Sequence, residues 1–452
     1  MAAPCSEATA PSPDVAPEVP RAVVPWRRVS SFVGLPLISL LGSLALIPVI
    51  SSVGGAPGWA AVAVGQALGG GASTVLQYGW GFSGPTRMVP LSAVDRGRLL
   101  WVSILSRLVV GAVLLPVTAA AAALLAPEGF RLLAVLTAIA VSTIGLSALW
   151  FFVGSGRAGQ AARYETVPRV VVLLIAAGVV LLTQDAIWYP VLFLAGQVVT
   201  ISVLAARLGV VSLDRATWTA VRRVLREQRA AAGSDVVFAV MLAVPTSILA
   251  AVAPGALATF SAGDRVQRLA QSGIQPLFNA FQGWVSESAP SDAAARMRVA
   301  VGATAACGAL GGTAFAIGLP LLDGPLFAGE ITVGYGVSIF FGLSLALYSL
   351  TSAINFTVLA PAGLTRIIFR ATLVAGLVVV AGTSVLPQLV GATGGAASVA
   401  AAQAAALLAQ LPAWRRLVHD RRAAARPAPG GLSDSPVRVP AATSLLGGGG
   451  LG

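Results

Sequence analysis

The sequence predicts an all-α integral membrane protein with about twelve transmembrane helices. Of its 452 residues, 56% are hydrophobic and only 10% are charged, whereas a soluble domain normally carries about 25% charged residues. Between Ser31 and Trp414, about twelve apolar segments are long enough to cross the roughly 30 Å hydrocarbon core of a bilayer. The connectors between these segments alternate between arginine-rich and arginine-poor. These three observations exclude a water-soluble fold.

The predicted spans form two groups of six. The first group covers residues 31–53, 59–78, 99–125, 132–153, 167–183 and 188–208, and the second covers 235–252, 256–284, 299–319, 331–356, 367–386 and 396–411. We therefore predict an N-terminal six-helix bundle over 25–208, a cytoplasmic linker over 209–233 and a C-terminal six-helix bundle over 234–414. Residues 1–24 are Ala- and Pro-rich with few large apolar side chains, and residues 415–452 are basic and then rich in Gly, Pro and Ser. Both segments are predicted to be disordered tails.

The arginine distribution predicts the orientation in the membrane. The chain has 29 basic residues, all of them arginine. The arginine-rich connectors contain Arg87, Arg96, Arg98, Arg157, Arg163, Arg169, Arg296, Arg298, Arg366, Arg370 and the run 207–229. Because cationic loops stay in the cytoplasm, we predict a multi-pass protein of the plasma or inner membrane with both termini cytoplasmic. The net charge of +12 then reflects topology and contact with membrane lipids, and no nucleic-acid partner is expected.

The two halves show weak internal similarity, as expected of a transporter built from repeats. Pro48 and Pro245 interrupt the helices that open the two halves, and the second and eighth spans end in the similar stretches 77–80 and 282–284. Interrupted helices at corresponding positions indicate a binding site between the halves, although proline is also common in membrane helices. Within the linker, residues 214–227 predict a short amphipathic helix on the inner leaflet.

The eighth span carries most of the candidate site residues. Its polar stripe consists of Asp264, Arg268, Gln271, Gln275, Asn279 and Gln282, with Arg265 beside it. Spacings of three and four residues place the stripe on one helix face. Because each charge at the bilayer centre costs about 2.5–3.5 kcal/mol, this face is predicted to line a substrate pathway. A structural ion pair between Asp264 and Arg268, or a position nearer the membrane surface, are the alternatives.

The second span repeats this pattern more weakly. Gln66, Ser73 and Gln77 lie on one face of it, beside the run of glycines at 69–71. We predict that the second and eighth spans face one another across a central cavity. The glycines allow a close backbone approach there, and helix packing alone would explain them equally well.

Four further residues have simpler predicted roles. Arg107 is predicted to extend toward the inner membrane surface. Asp235 is predicted to be either a charge at a helix N-terminus or a ligand of a coupling ion. Trp150 and Trp188 fit an aromatic belt at the two membrane interfaces.

Two stretches of the first half resemble a known family. One is Tyr78-Gly-Trp-Gly-Phe-Ser-Gly-Pro-Thr-Arg87, and the other combines Ala148-Leu-Trp-Phe-Phe-Val-Gly154 with Tyr164-Glu-Thr-Val-Pro-Arg169. They are similar to motifs of the polysaccharide transporter family, the Wzx-like flippases of lipid-linked oligosaccharides in the multidrug/oligosaccharidyl-lipid/polysaccharide exporter superfamily. Where that family commonly continues Gly-Leu-Glu, this chain has Gly154-Ser-Gly156.

The resemblance implies a function as well as a fold. It implies an alternating-access transporter that moves a polyprenyl-diphosphate-linked oligosaccharide to the outer leaflet for cell-surface polysaccharide or exopolysaccharide biosynthesis. It implies no cofactor, and glycan polymerase or ligase partners are expected. Arg265 and Arg268 would hold the diphosphate, and Asp264, Gln66, Gln77 and the stripe amides would complete the site. The sequence leaves open whether membrane potential alone or a coupled proton or sodium ion drives transport.

Two other classes of function compete with this prediction. A multidrug or cation exporter on the same fold would need an acidic, aromatic-lined site in place of arginines. A membrane glycosyltransferase or glycan polymerase would need catalytic groups in a large outside loop, and the outside connectors here are short. With one His and no Lys, neither His-dependent acyl transfer nor a phosphate-binding loop is available, and we predict no enzymatic activity and no metal site.

Overall fold

The computed structural model describes residues 26–88, 91–155, 158–208, 215–286 and 290–424, which contain helices and no β-strand. The helices are α1 (Trp26–Gln77), α2 (Trp80–Met88), α3 (Ala93–Leu125), α4 (Arg131–Ser142), α5 (Leu149–Gly154), α6 (Ala158–Ala161), α7 (Val167–Thr183), α8 (Trp188–Leu208), α9 (Arg215–Glu227), α10 (Arg229–Val252), α11 (Leu257–Ser286), α12 (Pro290–Phe327), α13 (Tyr335–Ile354) and α14 (Thr365–Ala424). Short 3₁₀ or π-helical turns cover Thr143–Leu146, Ala162–Thr166, Pro254–Ala256 and Asn355–Leu359. The predicted all-α membrane fold is confirmed.

Two of the helices, α1 and α14, are each made of two arms joined at a bend. In α1 the bend is at Gly55, whose φ of 59° and ψ of −168° lie in a region that essentially only glycine adopts. In α14 the bend is at Val390 and Gly391, and Gly382 on one arm lies against Ser398 on the other. Each arm therefore crosses the bundle separately, as the predicted spans on either side of each bend require.

The described helices account for the twelve predicted spans in two groups of six. In this part of the chain, seven helices are long and apolar enough to cross a membrane, and the segments Trp188–Leu204 and Leu242–Val252 are shorter but apolar. The bent helices α1 and α14 are each one of the seven, and each supplies two spans. The remaining span is α11, which has 30 residues but a lower hydropathy because of its charged and amide side chains.

The hydrophobic core joins the two halves toward the arginine-poor end of the molecule. There, Leu46 and Trp59 of the first half pack in one cluster with Leu249, Phe260 and Phe327 of the second. Separate clusters occupy the arginine-rich end, one containing Trp80, Trp150 and Val221 and another containing Phe281, Trp284 and Ile354. Burial of apolar surface therefore holds the halves together chiefly at one end.

At the arginine-rich end, the halves meet through close contacts between α1 and α10. A Cβ added at Gly71 would lie 3.0 Å from the carbonyl oxygen of Ala239. Nearer the helix ends, the carboxylate of Asp235 accepts a hydrogen bond of 2.8 Å from the backbone N–H of Gly79. Asp235 is buried and lies six residues inside α10, which begins at Arg229. The prediction that Asp235 is a charge at a helix N-terminus is therefore wrong.

The linker and the C-terminal segment contain more helix than predicted. The amphipathic helix predicted over 214–227 is present as α9, which ends at Glu227. The last five residues of the predicted linker, 229–233, already belong to α10. The second arm of α14 continues to Ala424, which corrects the prediction of disorder for 415–424. The predicted tails 1–24 and 425–452 lie outside the described residues.

Candidate functional site

A cavity of about 370 Å³ lies between the two halves, and we call it the central cavity. Its first-half side is formed by both arms of α1, with Ser43 on one arm and Gln66 on the other, and by residues of α7 and α8. Its second-half side is formed by α10 and by the first part of α11. The predicted meeting of the second and eighth spans at one cavity is therefore observed, since these spans are the second arm of α1 and α11.

Asp264 and Arg268 form an ion pair on the cavity wall. The Nε–H of Arg268 donates to Oδ2 of Asp264 at 2.6 Å, and its Nη2 donates to the carbonyl oxygen of Leu242 at 3.3 Å. The Arg268 side chain remains 31% exposed and that of Asp264 remains 14% exposed. The carboxylate of Asp264 and the carbonyl of Leu242 therefore hold the Arg268 guanidinium from two sides, and part of it stays open to the cavity.

Arg265 borders the same cavity without a comparable partner. Its guanidinium makes no hydrogen bond to the described residues and lies near the phenol of Tyr189. That phenol oxygen accepts a hydrogen bond of 3.1 Å from Nε2 of Gln66. A guanidinium bears five N–H donors and no acceptor, so Arg265 presents unused donors to anything in the cavity.

Arg169 is a cavity residue that was counted with the connector arginines, although the predicted span 167–183 contains it. The structure puts it in the first turn of α7, where it lines the central cavity. Its Nε–H, like Nε1–H of Trp59 on the same wall, is buried and finds no acceptor among the described residues. In the sequence, only the Pro168-Arg169 element of the family motif marked Arg169 as a functional candidate. The alternation of arginine-rich connectors explained its charge by membrane orientation alone.

The rest of the predicted stripe does not line the central cavity. Gln275 accepts a long hydrogen bond of 3.4 Å from the hydroxyl of Tyr348 on α13. Gln271 is half-buried and Asn279 is exposed. Gln267, between the stripe residues, is buried and donates to the hydroxyl of Ser344 on α13 at 2.7 Å. Beyond Arg268, this part of α11 therefore packs partly against its neighbour within the second half.

The glycine run of α1 serves both roles that were considered for it. Gly70 borders the central cavity. A Cβ at Gly69 would lie 2.6 Å from the carbonyl oxygen of Ala138 on α4, and Gly71 faces α10 as described above. Gly69 and Gly71 thus allow close helix packing, and Gly70 leaves space in the cavity because it has no side chain.

A second cavity of about 290 Å³ lies within the first half, and Arg169 borders both. Arg107 lines it and is fully buried, so its predicted extension to the membrane surface is wrong. Its Nε donates to the carbonyl of Ser103 at 3.1 Å, and its Nη1 donates to those of Gly145 at 2.8 Å and Ser147 at 2.9 Å. The last two carbonyls lie in the break between α4 and α5, where helical donors are missing.

Glu165 stabilises the same break from the other side. Its carboxylate accepts hydrogen bonds from the backbone N–H of Ala148 and from the hydroxyl of Ser147, just before α5 begins. Arg107 and Glu165 therefore fix this interrupted span with opposite charges. Gln77, a predicted site residue, lines this second cavity and not the central one.

The two motif regions behind the family resemblance pack against each other. The rings of Trp80 and Trp150 have centroids 5.0 Å apart, and Phe152 stacks on Tyr164 at 6.1 Å. Trp150 is buried, so its predicted place in an interfacial belt is wrong, whereas Trp188 is exposed. Within the described ranges, no group of three or more His, Cys, Asp or Glu side chains could hold a metal ion.

Several solved transporter structures share this architecture. The lipid II flippase MurJ in an inward closed conformation aligns at 12% identity with a TM-score of 0.59, over 88% of this chain and 90% of that one. An inward-facing multidrug resistance MATE family transporter of the MOP superfamily aligns at 13% identity and a TM-score of 0.51, over 88% and 96% of the two chains. The chain has the fold of these transporters. It matches no protein-family model and no curated protein sequence.

A third solved transporter structure has the same fold. It is a MOP superfamily transporter from Pyrococcus furiosus, described as having a binding pocket of reverse polarity that suggests a different function. It aligns at 14% identity and a TM-score of 0.51, over 88% of this chain and 96% of that one. These likenesses show the fold that the sequence motifs suggested, and membership of the superfamily stays a prediction, as does membership of the Wzx-like family.

Proposed function

We propose that this chain flips a polyprenyl-diphosphate-linked oligosaccharide from the cytoplasmic to the outer leaflet. The charge of the central cavity carries the proposal. Arg169, Arg265 and Arg268 border it together with a single carboxylate, that of Asp264. The resulting excess of two positive charges matches the two negative charges of a diphosphate diester. Such an excess is costly within a membrane unless an anion offsets it.

The geometry of these groups suits a diphosphate in particular. Guanidinium groups bind phosphate oxygens through two parallel hydrogen bonds and are more weakly hydrated than an ammonium group. Arg265 and Arg169 have donors without acceptors among the described residues. Gln66 and Tyr189 add uncharged groups suited to sugar hydroxyls. Gln77, Gln271, Gln275 and Asn279, away from the central cavity, are proposed as contacts along the path toward the arginine-rich end.

The membrane potential favours export of such a substrate. Moving negative charge outward across an inside-negative membrane releases about 2.3 kcal/mol per charge per 100 mV, because the potential drives it outward. A coupled proton or sodium ion is therefore not required, and Asp235 is not needed as its ligand. Glycan polymerases or ligases that use the flipped lipid are the proposed partners, and lipids of the plasma or inner membrane surround the protein.

A multidrug or cation exporter is the second candidate, because a MATE transporter shares the fold. Trp59 and Tyr189 would give such an exporter an aromatic wall. However, the one acidic group of the central cavity, Asp264, is already paired with Arg268 at 2.6 Å. A cation would have to displace that arginine and would still face Arg265 and Arg169, so the charge of the cavity disfavours this function.

The charge of the transported molecule, negative for a flippase substrate and positive for a cationic drug, distinguishes the two candidate functions. Deleting the gene is expected to make a polyprenyl-diphosphate-linked oligosaccharide accumulate on the cytoplasmic leaflet and to remove a surface glycan, while sensitivity to cationic dyes changes little. Extraction of lipid-linked glycans measures the accumulated substrate, and a dye-accumulation assay measures export of cationic dyes. Intact surface glycan together with raised dye accumulation would establish the exporter.

The same proposal assigns both termini and the arginine-rich end to the cytoplasm. Reporter fusions after Glu128, Asp185 and Asp323 should report the outside, and fusions after Arg98 and Arg226 should report the inside, because cationic loops are retained in the cytoplasm. A reversed result at two of these five sites contradicts the orientation.

A further inference from the structure

Helix α9 has one face buried in the protein. Thr217, Val221 and Val224 are buried. The two valines pack in the hydrophobic cluster that contains Leu100 and Ile104 of α3. The helix is therefore fixed against the outside of the first half through a narrow apolar stripe, which leaves its other sides uncovered.

The opposite face of α9 carries unpaired arginines. Arg215, Arg222 and Arg226 follow one another at spacings of seven and four residues, so they share one side of the helix. All three are exposed, and their guanidinium groups make no ion pair or hydrogen bond with the described residues. Trp218, at the edge of this stripe, is 42% exposed. Such a combination of cations with an aromatic ring is typical of a membrane interface.

The one acidic residue of α9 does not neutralise these arginines. Glu227 pairs with Arg87 of α2 at 3.1 Å, away from the stripe. Tyr78, at the end of α1, donates a hydrogen bond of 3.0 Å to the carbonyl oxygen of Leu225. These two contacts fix the rotation of α9 about its axis and keep the arginine stripe turned away from the protein.

The depth of α9 matches the boundary of the hydrocarbon region. The apolar side chains Leu108, Val109 and Val113 of α3 are exposed, which marks this part of α3 as lipid-facing. Ile104, in the cluster that contacts α9, precedes Leu108 by four residues, or about 6 Å along the helix axis. Measured along α3, helix α9 therefore packs about one helical turn before the lipid-facing part of α3 begins. We take this level to be that of the headgroups.

We propose that Arg215, Arg222, Arg226 and Trp218 form a binding surface for anionic phospholipid headgroups at the arginine-rich end. The phosphodiester supplies the acceptor oxygens that the three guanidinium groups lack, and Trp218 inserts its ring between headgroup and acyl chain. A free phosphate would use the arginines but gain nothing from the exposed tryptophan. The surface lies outside the central cavity, so this proposal is independent of the transported molecule.

Native mass spectrometry of the purified full chain in detergent tests this surface. Phosphatidylglycerol, phosphatidylcholine and inorganic phosphate serve as the three probes. The triple variant Arg215→Gln/Arg222→Gln/Arg226→Gln is expected to bind phosphatidylglycerol on the order of 100-fold more weakly, from about fivefold for each arginine removed. Trp218→Ser should weaken it further, and phosphatidylcholine binding should change little.

The matched control removes the same charge from the same end of the molecule. Arg98, Arg366 and Arg370 are also exposed but lie outside α9, and their triple glutamine variant should retain phosphatidylglycerol binding. Equal losses in both triple variants, or no preference of the wild type for phosphatidylglycerol over phosphatidylcholine, would overturn the proposal. Full displacement of the lipid by millimolar inorganic phosphate would do the same, since it would identify a simple phosphate site.

Discussion

Replacing Arg265 by Gln is expected to lower transport of the lipid-linked glycan by about 10- to 100-fold. A hydrogen bond to a charged group is worth about 1.5–3 kcal/mol, and 1.4 kcal/mol corresponds to a factor of ten. Because the Arg265 guanidinium makes no hydrogen bond to the described residues, its removal leaves no protein acceptor unpaired. The loss should therefore appear in transport, measured by flipping in reconstituted vesicles, and not in the amount of folded protein.

Arg268 gives a less direct result, because Arg268→Gln also leaves the carboxylate of Asp264 without its partner. We expect that variant to lose transport as well, and Arg268→Lys to keep part of it, since an ammonium group cannot form the two-pronged contact. The double variant Asp264→Asn/Arg268→Gln removes both charges and should recover folding without recovering transport.

Arg131→Gln is the control for a lost positive charge, since Arg131 is exposed at the arginine-poor end. It should transport normally. Wild-type rates for Arg265→Gln would remove the diphosphate role from this residue. Normal substrate binding and transport by the double variant would reduce the Asp264–Arg268 pair to a structural contact.

The membrane made much of the fold predictable from sequence. A bilayer accepts only segments of a certain length with satisfied backbone groups, so span lengths and the arginine asymmetry led to the twelve helices. The structure differs from the prediction in the C-terminal segment, where composition predicted disorder. The stretch from Trp414 to Ala424 is polar, yet its Arg, Ala and Leu residues favour helix, and the second arm of α14 continues through it.

The candidate site was predictable only where it depends on one helix. Periodicity along α11 predicted the Asp264–Arg268 pair, which the structure contains. The same periodicity extended the site to Gln275, although that amide contacts Tyr348 on another helix. Arg107 was missed as a buried residue because two of its three acceptors lie 38 and 40 residues further along the chain. Sequence spacing does not report such distances.

The close packing of α12 on α13 leads to the largest expected effect on folding. Gly312 and Gly342 face each other, and a Cβ at either would overlap the carbonyl oxygen of the other. Backbones this close are a feature of membrane helix pairs with small residues at the crossing. The same is true of Gly308, where a Cβ would overlap the side chain of Ser349 on α13.

Gly312→Val is therefore expected to destabilise the protein by about 3 kcal/mol or more, since overpacking against backbone cannot be relieved by a change of rotamer. The matched control is Gly318→Val in the same helix, because a Cβ at Gly318 meets nothing within 4 Å. Both substitutions add the same β-branched side chain, so their intrinsic helix propensities cancel. Thermal unfolding in detergent should show a large fall in Tm for Gly312→Val and little change for Gly318→Val. Equal melting temperatures in the two variants would mean that α12 and α13 do not approach this closely.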